Sequence, residues 1–343
     1  MSNQLEIITD RLANEKFRWL VTGAAGFIGS HLVDFLLHHN QTVIAIDNFS
    51  TGLRSNIEFL EKQLNKLDND SELVFFEADI RNYEDCIKLT DSIDFVLHQA
   101  AIGSVPRSIE DPITTHEANI NGFLNIILAS KENKVKNFVY ASSSSVYGDS
   151  EILPKKEEQQ GQPLSPYAIT KSVNETYALV FSNVYGFNSI GLRYFNVFGL
   201  RQDPNGQYAA VIPKWINALL KGEELFINGD GTTTRDFCYI ENAVQANILA
   251  AMTDNQEALN RVYNIAADHQ ITLIQLYNIL KKNLSNLRPR LRVNEPTYRG
   301  FRRGDIMHSR ADIGLAEKYL GYKVTKSVTQ GLEELITIEC AKL

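Results

Sequence analysis

Tyr167 and Lys171 are four residues apart, a spacing that places two side chains on the same face of a helix. A tyrosine with an ordinary pKa near 10 is a poor base at neutral pH, but a neighbouring ammonium group favours its phenolate form. With a serine hydroxyl to hold the substrate oxygen, such a pair could take a hydride and a proton from a secondary alcohol. We therefore interpret the pair first as a candidate for alcohol–ketone chemistry.

The Tyr/Lys spacing carries little information by itself, because it occurs at Tyr167/Lys171, Tyr277/Lys281, Tyr319/Lys323 and Tyr322/Lys326. Only the first pair follows Ser165-Pro166, an N-cap and first-turn proline that predict the start of a helix. Only the first pair also lies about 24 residues after the serine run 142–145. The alternatives are that Tyr167 is a surface aromatic of that helix and that the serines form a small-residue junction.

A glycine-rich segment could bind the phosphates of a dinucleotide. Gly23, Gly26 and Gly29 follow a predicted strand at 17–22 and open a predicted helix at 27–37. Their GxxGxxG spacing differs from GxGxxG, but the physical basis is shared: glycines allow close approach of the backbone, and the helix N-terminus supplies N–H donors. Asp47 lies 24 residues after Gly23, where a ribose-binding acid is expected, and an acid there favours NAD over NADP. A turn with a packing role only is the alternative.

A second acid follows the third predicted strand. Asp79 and Ile80 could hold the edge of an adenine, although Asp79 could equally cap the end of that strand.

The elements that must position these residues are short apolar strands alternating with helices. Strands are predicted at 17–22, 42–46, 73–76, 95–98, 137–141 and 189–194, and helices at 27–37, around 119–130 and from 165 to 185. This alternation predicts βαβ units in an α/β fold, a Rossmann-type doubly wound parallel sheet. The strands are continuous apolar runs, which predicts burial on both faces.

A chain of 343 residues corresponds to roughly two domains. Loops at 201–207 and 228–234 interrupt shorter elements, whereas 262–266 has the character of one more strand of the main sheet. We therefore expect residues 1–196 with about 235–268 to form an NAD-binding Rossmann domain. We expect about 197–234 with 269–343 to form a smaller C-terminal α/β substrate domain.

Composition narrows the function classes. Hydrophobic residues make up 44% and charged residues 22%, as in globular proteins, and 34 Lys and Arg against 41 Asp and Glu give a net charge of −7. An acidic chain has no overall attraction to nucleic acid or anionic lipid. The three cysteines lack metal-ligand spacing, and we find no signal peptide and no apolar run of about 18 residues. We expect a cytoplasmic protein with a small-molecule partner, no metal, no nucleic acid and no membrane span.

Six motifs in this order resemble the extended short-chain dehydrogenase/reductase family, specifically its nucleotide-sugar 4-epimerases: TGAAGFIG at 22–29, HQAA at 98–101, SSSSVYG at 142–148, SPYAITK at 165–171, RYFNVFG at 193–199 and TRDFCYI at 234–240. The resemblance covers about residues 17–325. It implies tightly bound NAD, removal of a hydride, rotation of a transient 4-keto sugar and return of the hydride to its other face. It also implies a homodimer through the helices near 119–130 and 165–185.

The resemblance assigns roles to individual residues. The implied catalytic residues are Ser143, Tyr167 and Lys171. The implied cofactor-binding residues are Gly23, Gly26, Phe27, Ile28, Gly29, Asp47, Asn48, Asp79, Ile80, Ala100, Lys171 and Tyr194. The implied substrate-binding residues are Gly103, Ser104, Ser144, Ser145, Asn196, Gln202, Ala210, Val211, Phe226, Arg235, Arg302, Asp305 and Ser309.

Within the substrate set, the resemblance implies that Asn196, Arg235 and Arg302 contact the diphosphate. Asp305 would hold the uridine ribose, and Phe226 would stack on uracil. Residues 288–310 agree with an anionic ligand, because they contain seven arginines and no lysine. Guanidinium groups suit bidentate phosphate contacts, although a solvated basic loop explains most of the seven equally well and a nucleic-acid patch is a further alternative.

The sugar is inferred from Ser309. In the family a bulky tyrosine at this position excludes an N-acetyl group and a small residue admits it, so the resemblance implies UDP-N-acetylhexosamines. The N-terminal lead-in and residues 103–108 and 201–205 further resemble the bacterial UDP-N-acetylglucosamine 4-epimerases of surface-polysaccharide pathways, the WbpP type. The alternatives are a UDP-uronic acid 4-epimerase and a non-catalytic NAD-sensing protein, which would have a broken Tyr/Lys pair. A dehydratase would carry acids after Ser143, where this chain has serines.

Overall fold

The computed structural model describes residues 4–205, 209–301 and 307–342. Its strands are β1 (Arg18–Thr22), β2 (Thr42–Asp47), β3 (Glu72–Glu77), β4 (Phe95–His98), β5 (Asn137–Ser143), β6 (Ser189–Tyr194), β7 (Val197–Phe198), β8 (Phe226–Asn228), β9 (Thr234–Asp236), β10 (Cys238–Tyr239), β11 (Arg261–Ile265), β12 (Gln270–Thr272) and β13 (Thr297–Arg299).

Its helices are α1 (Gln4–Asn14), α2 (Phe27–His38), α3 (Arg54–Leu64), α4 (Tyr83–Leu89), α5 (Val105–Glu110), α6 (Pro112–His116), α7 (Gly122–Glu132), α8 (Pro166–Tyr185), α9 (Val211–Lys221), α10 (Ile240–Ala251), α11 (Leu273–Leu287), α12 (Gly314–Leu320) and α13 (Val328–Ala341). A π-helical turn, Glu117–Asn121, precedes α7, and short 3₁₀ turns occur at Ser144–Tyr147 and Gln256–Ala258. None of the helices among these residues is long and apolar enough to cross a bilayer.

The predicted doubly wound parallel sheet is confirmed. Seven strands pair in the order β11-β6-β5-β4-β1-β2-β3, and every pairing is parallel. The strand order reverses between β1 and β4, which opens a crevice at their carboxyl ends. Thr22, the last residue of β1, is in register with Ile46 of β2 and His98 of β4, so three strand ends meet there.

Two hydrophobic cores cover the faces of this sheet because successive strand residues point to opposite sides. On β1, Trp19 and Val21 belong to the core that includes α2 and α10, whereas Leu20 belongs to the core that includes α7 and α8. Burial on both faces explains the continuous apolar runs of the central strands.

The expectation of burial on both faces is wrong for the strand predicted at 73–76. This segment forms β3, the edge strand of the sheet, and Val74 and Phe76 are 43% and 45% exposed. An edge strand has a partner on one side only, and the strand order that makes β3 the edge is a property of the whole topology.

The second part of the fold consists of short paired strands and helices. β8 pairs with β13, β9 with β12, and β7 with β10. The strand predicted at 262–266 is present as β11, which pairs with β6 and returns the chain to the main sheet. The division into two domains with the boundaries given above stays a prediction.

Candidate active site

A cleft of 310 Å³ lies at the carboxyl ends of the central strands. Tyr167 and Gly103 line it together with every residue predicted to bind the cofactor: Gly23, Gly26, Phe27, Ile28, Gly29, Asp47, Asn48, Asp79, Ile80, Ala100, Lys171 and Tyr194. The fold therefore brings into one cleft residues that are up to 171 positions apart in the chain.

The glycine turn has no room for side chains. A Cβ on Gly29 would lie 2.1 Å from the carbonyl oxygen of Gly23, and a Cβ on Gly23 would lie 2.8 Å from the amide nitrogen of Ala100. Gly23 also has a φ of +69°, which disfavours other residues. A bare backbone turn at the N-terminus of α2 is what a dinucleotide pyrophosphate requires, so this cradle fits NAD.

Asp47 is buried at the end of β2, where its carboxylate organises the turn. One carboxylate oxygen accepts a hydrogen bond from the Ala25 amide at 3.0 Å, and the other accepts one from the Phe49 amide at 2.8 Å. Burial raises the pKa of Asp47, and these two bonds act in the opposite direction. A carboxylate has about four acceptor positions, so Asp47 keeps capacity for the hydroxyl groups of a ribose.

Asp79 lines the cleft and contacts two neighbouring side chains. Arg81 forms an ion pair with it, and Asn48 donates a hydrogen bond from Nδ2 at 2.9 Å. The hydrogen bond from Arg81 is the main cause that lowers the pKa of Asp79 to about 2. The acid is thus charged beside the cleft, next to the buried side chain of Ile80.

Tyr167 and Lys171 lie on α8 as the sequence predicts. The Ser165 hydroxyl caps this helix by accepting a hydrogen bond from the Ala168 amide at 3.2 Å, and Pro166 occupies its first turn. The Lys171 ammonium group lies 5.9 Å from the centroid of the Tyr167 ring and donates to the Ala141 carbonyl oxygen at 2.8 Å.

Burial shifts both titratable groups. Burial raises the pKa of the Tyr167 phenol, and a hydrogen bond with the Ser143 side chain lowers it in part. Burial lowers the pKa of Lys171 to about 8, and the charge of Glu175 opposes that shift. Burial therefore moves the two pKa values further apart than they are in water, because it favours the neutral form of each group.

The side chains of the serine run make different contacts. Ser143, the last residue of β5, bonds with Tyr167 and accepts from the Ser145 amide at 3.1 Å. Ser144 begins the 3₁₀ turn. The Ser145 hydroxyl is buried and has no hydrogen-bond partner among the residues that the structure describes. Ser143 therefore lies beside the reactive tyrosine, and the Ser145 hydroxyl is a buried polar group that lacks a partner within the described part of the chain.

Several residues that support the site were not predicted from the sequence. Thr22 bonds with His98 Nδ1 at 2.8 Å and accepts from the Ala100 amide at 3.1 Å. Burial, aided by the charge of Lys171, lowers the pKa of His98 to about 3, so its ring is neutral. The HQAA motif contained His98, and its position at a strand end could have marked it.

Asn119 and Ser108 hold the backbone around Tyr167. Asn119 donates to the Ile102 carbonyl oxygen at 3.0 Å and to the Thr170 hydroxyl at 3.1 Å, and it accepts from the Ile102 amide at 2.7 Å. Ser108 accepts from the Tyr167 amide at 3.1 Å. These contacts join segments far apart in sequence, so spacing could not reveal them.

A second group of predicted residues surrounds β9. Asn196 donates from Nδ2 to the Asp236 carbonyl oxygen at 3.1 Å, and Arg235 lies on β9 itself. The Thr234 amide donates to the Met307 carbonyl oxygen at 2.9 Å, which holds the segment that carries the buried Ser309. Asn196, Arg235 and Ser309 are thus brought together, whereas Arg302 and Asp305 lie outside the described residues.

Other predicted substrate residues are not among those that line the Tyr167 cleft. Gln202 lines a separate cavity of 410 Å³, donates from Nε2 to the Val197 carbonyl oxygen at 3.3 Å, and has a buried Oε1 without a partner in the described ranges. Ala210 and Val211 begin α9, and Ser104 caps α5. The Arg299 guanidinium lies over the ring of Phe226 on β8, 3.2 Å from the ring centroid.

Within the arginine-rich segment 288–310, three of the arginines that the structure describes contact different parts of the protein. Arg288 donates to the Cys340 carbonyl oxygen, Arg299 covers Phe226, and Arg310 pairs with Asp268 at 3.0 Å. Three of the seven therefore have partners within the protein. Among the residues with described coordinates, no group of three His, Cys, Asp or Glu side chains could hold a metal ion.

The fold and this site define a class: a Rossmann-type enzyme whose dinucleotide cleft is lined by Tyr167 and Lys171, with Ser143 bonded to Tyr167. Residues 19–266 match the NAD dependent epimerase/dehydratase family. The chain belongs to that family.

Three solved structures show the range of its relatives. The UDP-glucose 4-epimerase of Thermotoga maritima, with UDP-glucose, is 33% identical over 95% of this chain and 99% of that chain, with a TM-score of 0.84. The UDP-N-acetylglucosamine 4-epimerase of Methanobrevibacter ruminantium, with UDP-N-acetylmuramic acid, is 36% identical over 96% and 100%, with a TM-score of 0.84. The UDP-glucuronic acid 4-epimerase of Bacillus cereus, with UDP-glucuronic acid and NAD, is 32% identical over 95% and 100%, with a TM-score of 0.82.

These comparisons confirm the predicted enzyme class and its NAD cofactor. They support a UDP-sugar 4-epimerase, an enzyme of the isomerase class. The three relatives act on sugars that differ in the groups at C2 and C6, so the choice of sugar rests on this chain's own residues.

Proposed function

We propose that this enzyme interconverts UDP-N-acetylglucosamine and UDP-N-acetylgalactosamine by epimerisation at C4, for the synthesis of surface polysaccharides. The observation that carries the choice of sugar is Ser309, a small side chain held in the segment next to β9. A tyrosine there would fill the space that an N-acetyl group needs.

The chain's residues have defined tasks in this reaction. Bound NAD supplies a hydride acceptor and, later, a hydride donor. The Tyr167 phenolate accepts the proton of the sugar 4-hydroxyl, and the Ser143 hydroxyl holds the same oxygen. Lys171 keeps its ammonium charge beside the phenolate and stabilises it. Since the hydride is returned, no external oxidant is consumed.

The cofactor cradle would hold NAD by three kinds of contact. The backbone amides of the glycine turn and the N-terminus of α2 would face the pyrophosphate. Asp47 would accept from a ribose hydroxyl, and Lys171 would contact the nicotinamide ribose. Tyr194 lines the same cleft, where Gln99 and Asn247 hold its hydroxyl at 3.1 and 2.8 Å.

For the substrate, we propose that Asn196, Arg235 and Arg302 contact the diphosphate and that Asp305 contacts the uridine ribose. Three observations support a ligand here: the cluster around β9, the buried unsatisfied hydroxyl of Ser145, and the shared neighbourhood of Asn196 and Tyr194 at the end of β6. Phe226 would exchange its Arg299 partner for uracil.

The test is product analysis without added NAD. The purified enzyme is incubated separately with UDP-N-acetylglucosamine, UDP-glucose and UDP-N-acetylglucosaminuronic acid, and the sugar epimers are separated. We expect UDP-N-acetylgalactosamine to form with the highest kcat/KM. A higher kcat/KM for the uronic acid would establish the second candidate, a UDP-uronic acid 4-epimerase, which the relative from Bacillus cereus favours.

A substitution tests the role of Ser309 directly. We expect Ser309→Tyr to lower kcat/KM for the N-acetylated substrate by at least about tenfold more than for UDP-glucose, because a clash with one substituent costs one to a few kcal/mol. The matched control is Ser309→Ala, which keeps the space open and should retain the preference. Equal losses of Ser309→Tyr on both substrates would contradict the proposed role.

A further inference from the structure

A buried ion pair lies one helical turn beyond the reactive lysine. Glu175 follows Lys171 by four residues on α8, so the two side chains share a face of the helix. Arg193 on β6 binds both carboxylate oxygens of Glu175, at 2.9 and 2.8 Å. The side chain of Arg193 is 1% exposed and that of Glu175 is 9% exposed.

Glu175 is also bonded to the end of β5. Its carboxylate accepts a hydrogen bond from the Ser142 hydroxyl. Ser142 lies between Ala141, whose carbonyl oxygen receives Lys171 at 2.8 Å, and Ser143, which bonds with Tyr167. One carboxylate therefore holds the middle of a three-residue segment whose two outer residues contact the reactive pair.

The ion pair is anchored on its other side. Arg193 donates to the Tyr147 hydroxyl at 3.0 Å and to the Glu157 carbonyl oxygen at 2.8 Å. Tyr147 in turn donates to Asn264 at 2.6 Å. Bidentate geometry and these extra bonds satisfy the buried guanidinium, so the carboxylate has one defined position.

The groups around Lys171 and Glu175 differ in charge. Tyr167 and Glu175 act on Lys171 from α8 and His98 from β4, whereas Tyr140 on β5 and Arg193 on β6 act on Glu175. Among these five, His98 and the two tyrosines are neutral at neutral pH, and Arg193 is matched by Glu175. Glu175 is thus the negative charge of this set, and it acts against the effect of burial on the ammonium group.

We propose that Glu175, fixed by Arg193, is a positioning residue for the reaction. Through Ser142 it sets the end of β5, so that Ala141 receives Lys171 and Ser143 faces Tyr167. Its charge keeps the proton on Lys171 when Tyr167 is ionised. The inference rests on the roles proposed above for Tyr167 and Lys171.

The test is the pH dependence of kcat in Glu175→Gln, with the UDP-sugar that the wild-type enzyme turns over best. Removing a negative charge favours proton loss from the groups that face it, so we expect the whole profile to move to lower pH by about one unit. We also expect its maximum to fall about tenfold or more, because the proton is held less firmly on Lys171, while KM changes less than about threefold. A lower maximum at an unchanged pH position would show a merely structural role and overturn the proposal.

Glu175→Gln leaves Arg193 as an unmatched buried charge, which destabilises folded proteins. The double variant Glu175→Gln/Arg193→Gln removes both charges, which act in opposite directions on nearby groups, so we expect its profile to move in the same direction by a smaller amount. Glu241→Gln is the matched control, because its carboxylate pairs with Lys326 at 3.0 Å on a half-exposed surface. It should keep the wild-type profile.

Tyr167→Phe separates the two levels of inference. Wild-type turnover in Tyr167→Phe would overturn the proposed roles of the reactive pair. An inactive Tyr167→Phe together with an unmoved pH profile in both Glu175 variants would overturn the role of Glu175 alone. Ser142→Ala tests the link to β5: we expect a lower kcat at an unchanged pH position, and an unchanged kcat would contradict that link.

Discussion

At the residue scale, the reactive pair depends on burial. In water a tyrosine and a lysine both titrate near pH 10 and are largely protonated at neutral pH. In this site burial moves the pKa of Lys171 down and that of Tyr167 up, since each shift disfavours a charged form. The Ser143 hydrogen bond and the Glu175 charge partly restore the charged forms, phenolate and ammonium, that proton abstraction requires.

We expect Tyr167→Phe to reduce kcat by about 10² to 10⁴, the usual contribution of a general base. The ring can keep its packing, and the contacts of Lys171 and Asp47 are untouched, so bound NAD should remain at the wild-type level. The measurements are turnover and the nucleotide released from denatured protein. Loss of NAD together with turnover would indicate a binding role for Tyr167 instead.

At the scale of elements, the site depends on where helices and strands begin and end. Helix α8 begins at Pro166 because Ser165 caps it, and Gly186 in the left-handed conformation ends it. In the glycine turn between β1 and α2, Gly23 and Gly29 have no Cβ that would block the close approach of the backbone. The helix caps and the glycine turn set the orientation of Tyr167 and of the phosphate cradle before any ligand is present.

We expect Gly29→Ala to abolish NAD retention. Its new Cβ would lie 2.1 Å from the Gly23 carbonyl oxygen, so the turn would have to move although alanine is the better helix former. The measurement is the NAD content of the purified protein, with circular dichroism to confirm that it is folded. Gly300→Ala is the control, because its Cβ would meet open space. Wild-type NAD content in Gly29→Ala would contradict the importance of this close approach.

At the scale of the whole molecule, α8 and the adjoining α5 and α6 carry several exposed apolar side chains. On α8, Leu179, Val184 and Tyr185 are 53%, 64% and 52% exposed, and on the adjoining α5 and α6, Ile109 and Ile113 are 61% and 71% exposed. Contiguous exposed apolar surface marks interaction sites. We propose that α8 forms the homodimer interface expected from the sequence, with α5 and α6 contributing more than α7, whose apolar residues are mostly buried within the chain.

We expect Val184→Glu to shift the protein from dimer to monomer, because a charge at the centre of an apolar interface is desolvated without a partner. Light scattering after gel filtration gives the mass. Ile7→Glu is the control: Ile7 is 47% exposed on α1, a different helix, and should leave the mass unchanged. A wild-type protein that runs as a monomer, or a Val184→Glu variant that stays dimeric, would contradict this interface.

The sequence by itself determined the parallel sheet, the glycine turn, the acids at the strand ends and the start of α8. These features follow from local rules, since apolar runs, caps and glycine conformations depend on neighbouring residues only. The family resemblance carried by the motifs implied which residues would bind the cofactor. All of them line one cleft in the structure.

The tertiary structure alone decided which side chains meet across the sheet. The pairing of Glu175 with Arg193 and Ser142, and the bond between Thr22 and His98, depend on which strands are neighbours. The exposure of β3 depends on its place at the edge. Strand order is set by the packing of the whole chain, and a residue's pattern along one strand does not contain the identity of the strand beside it.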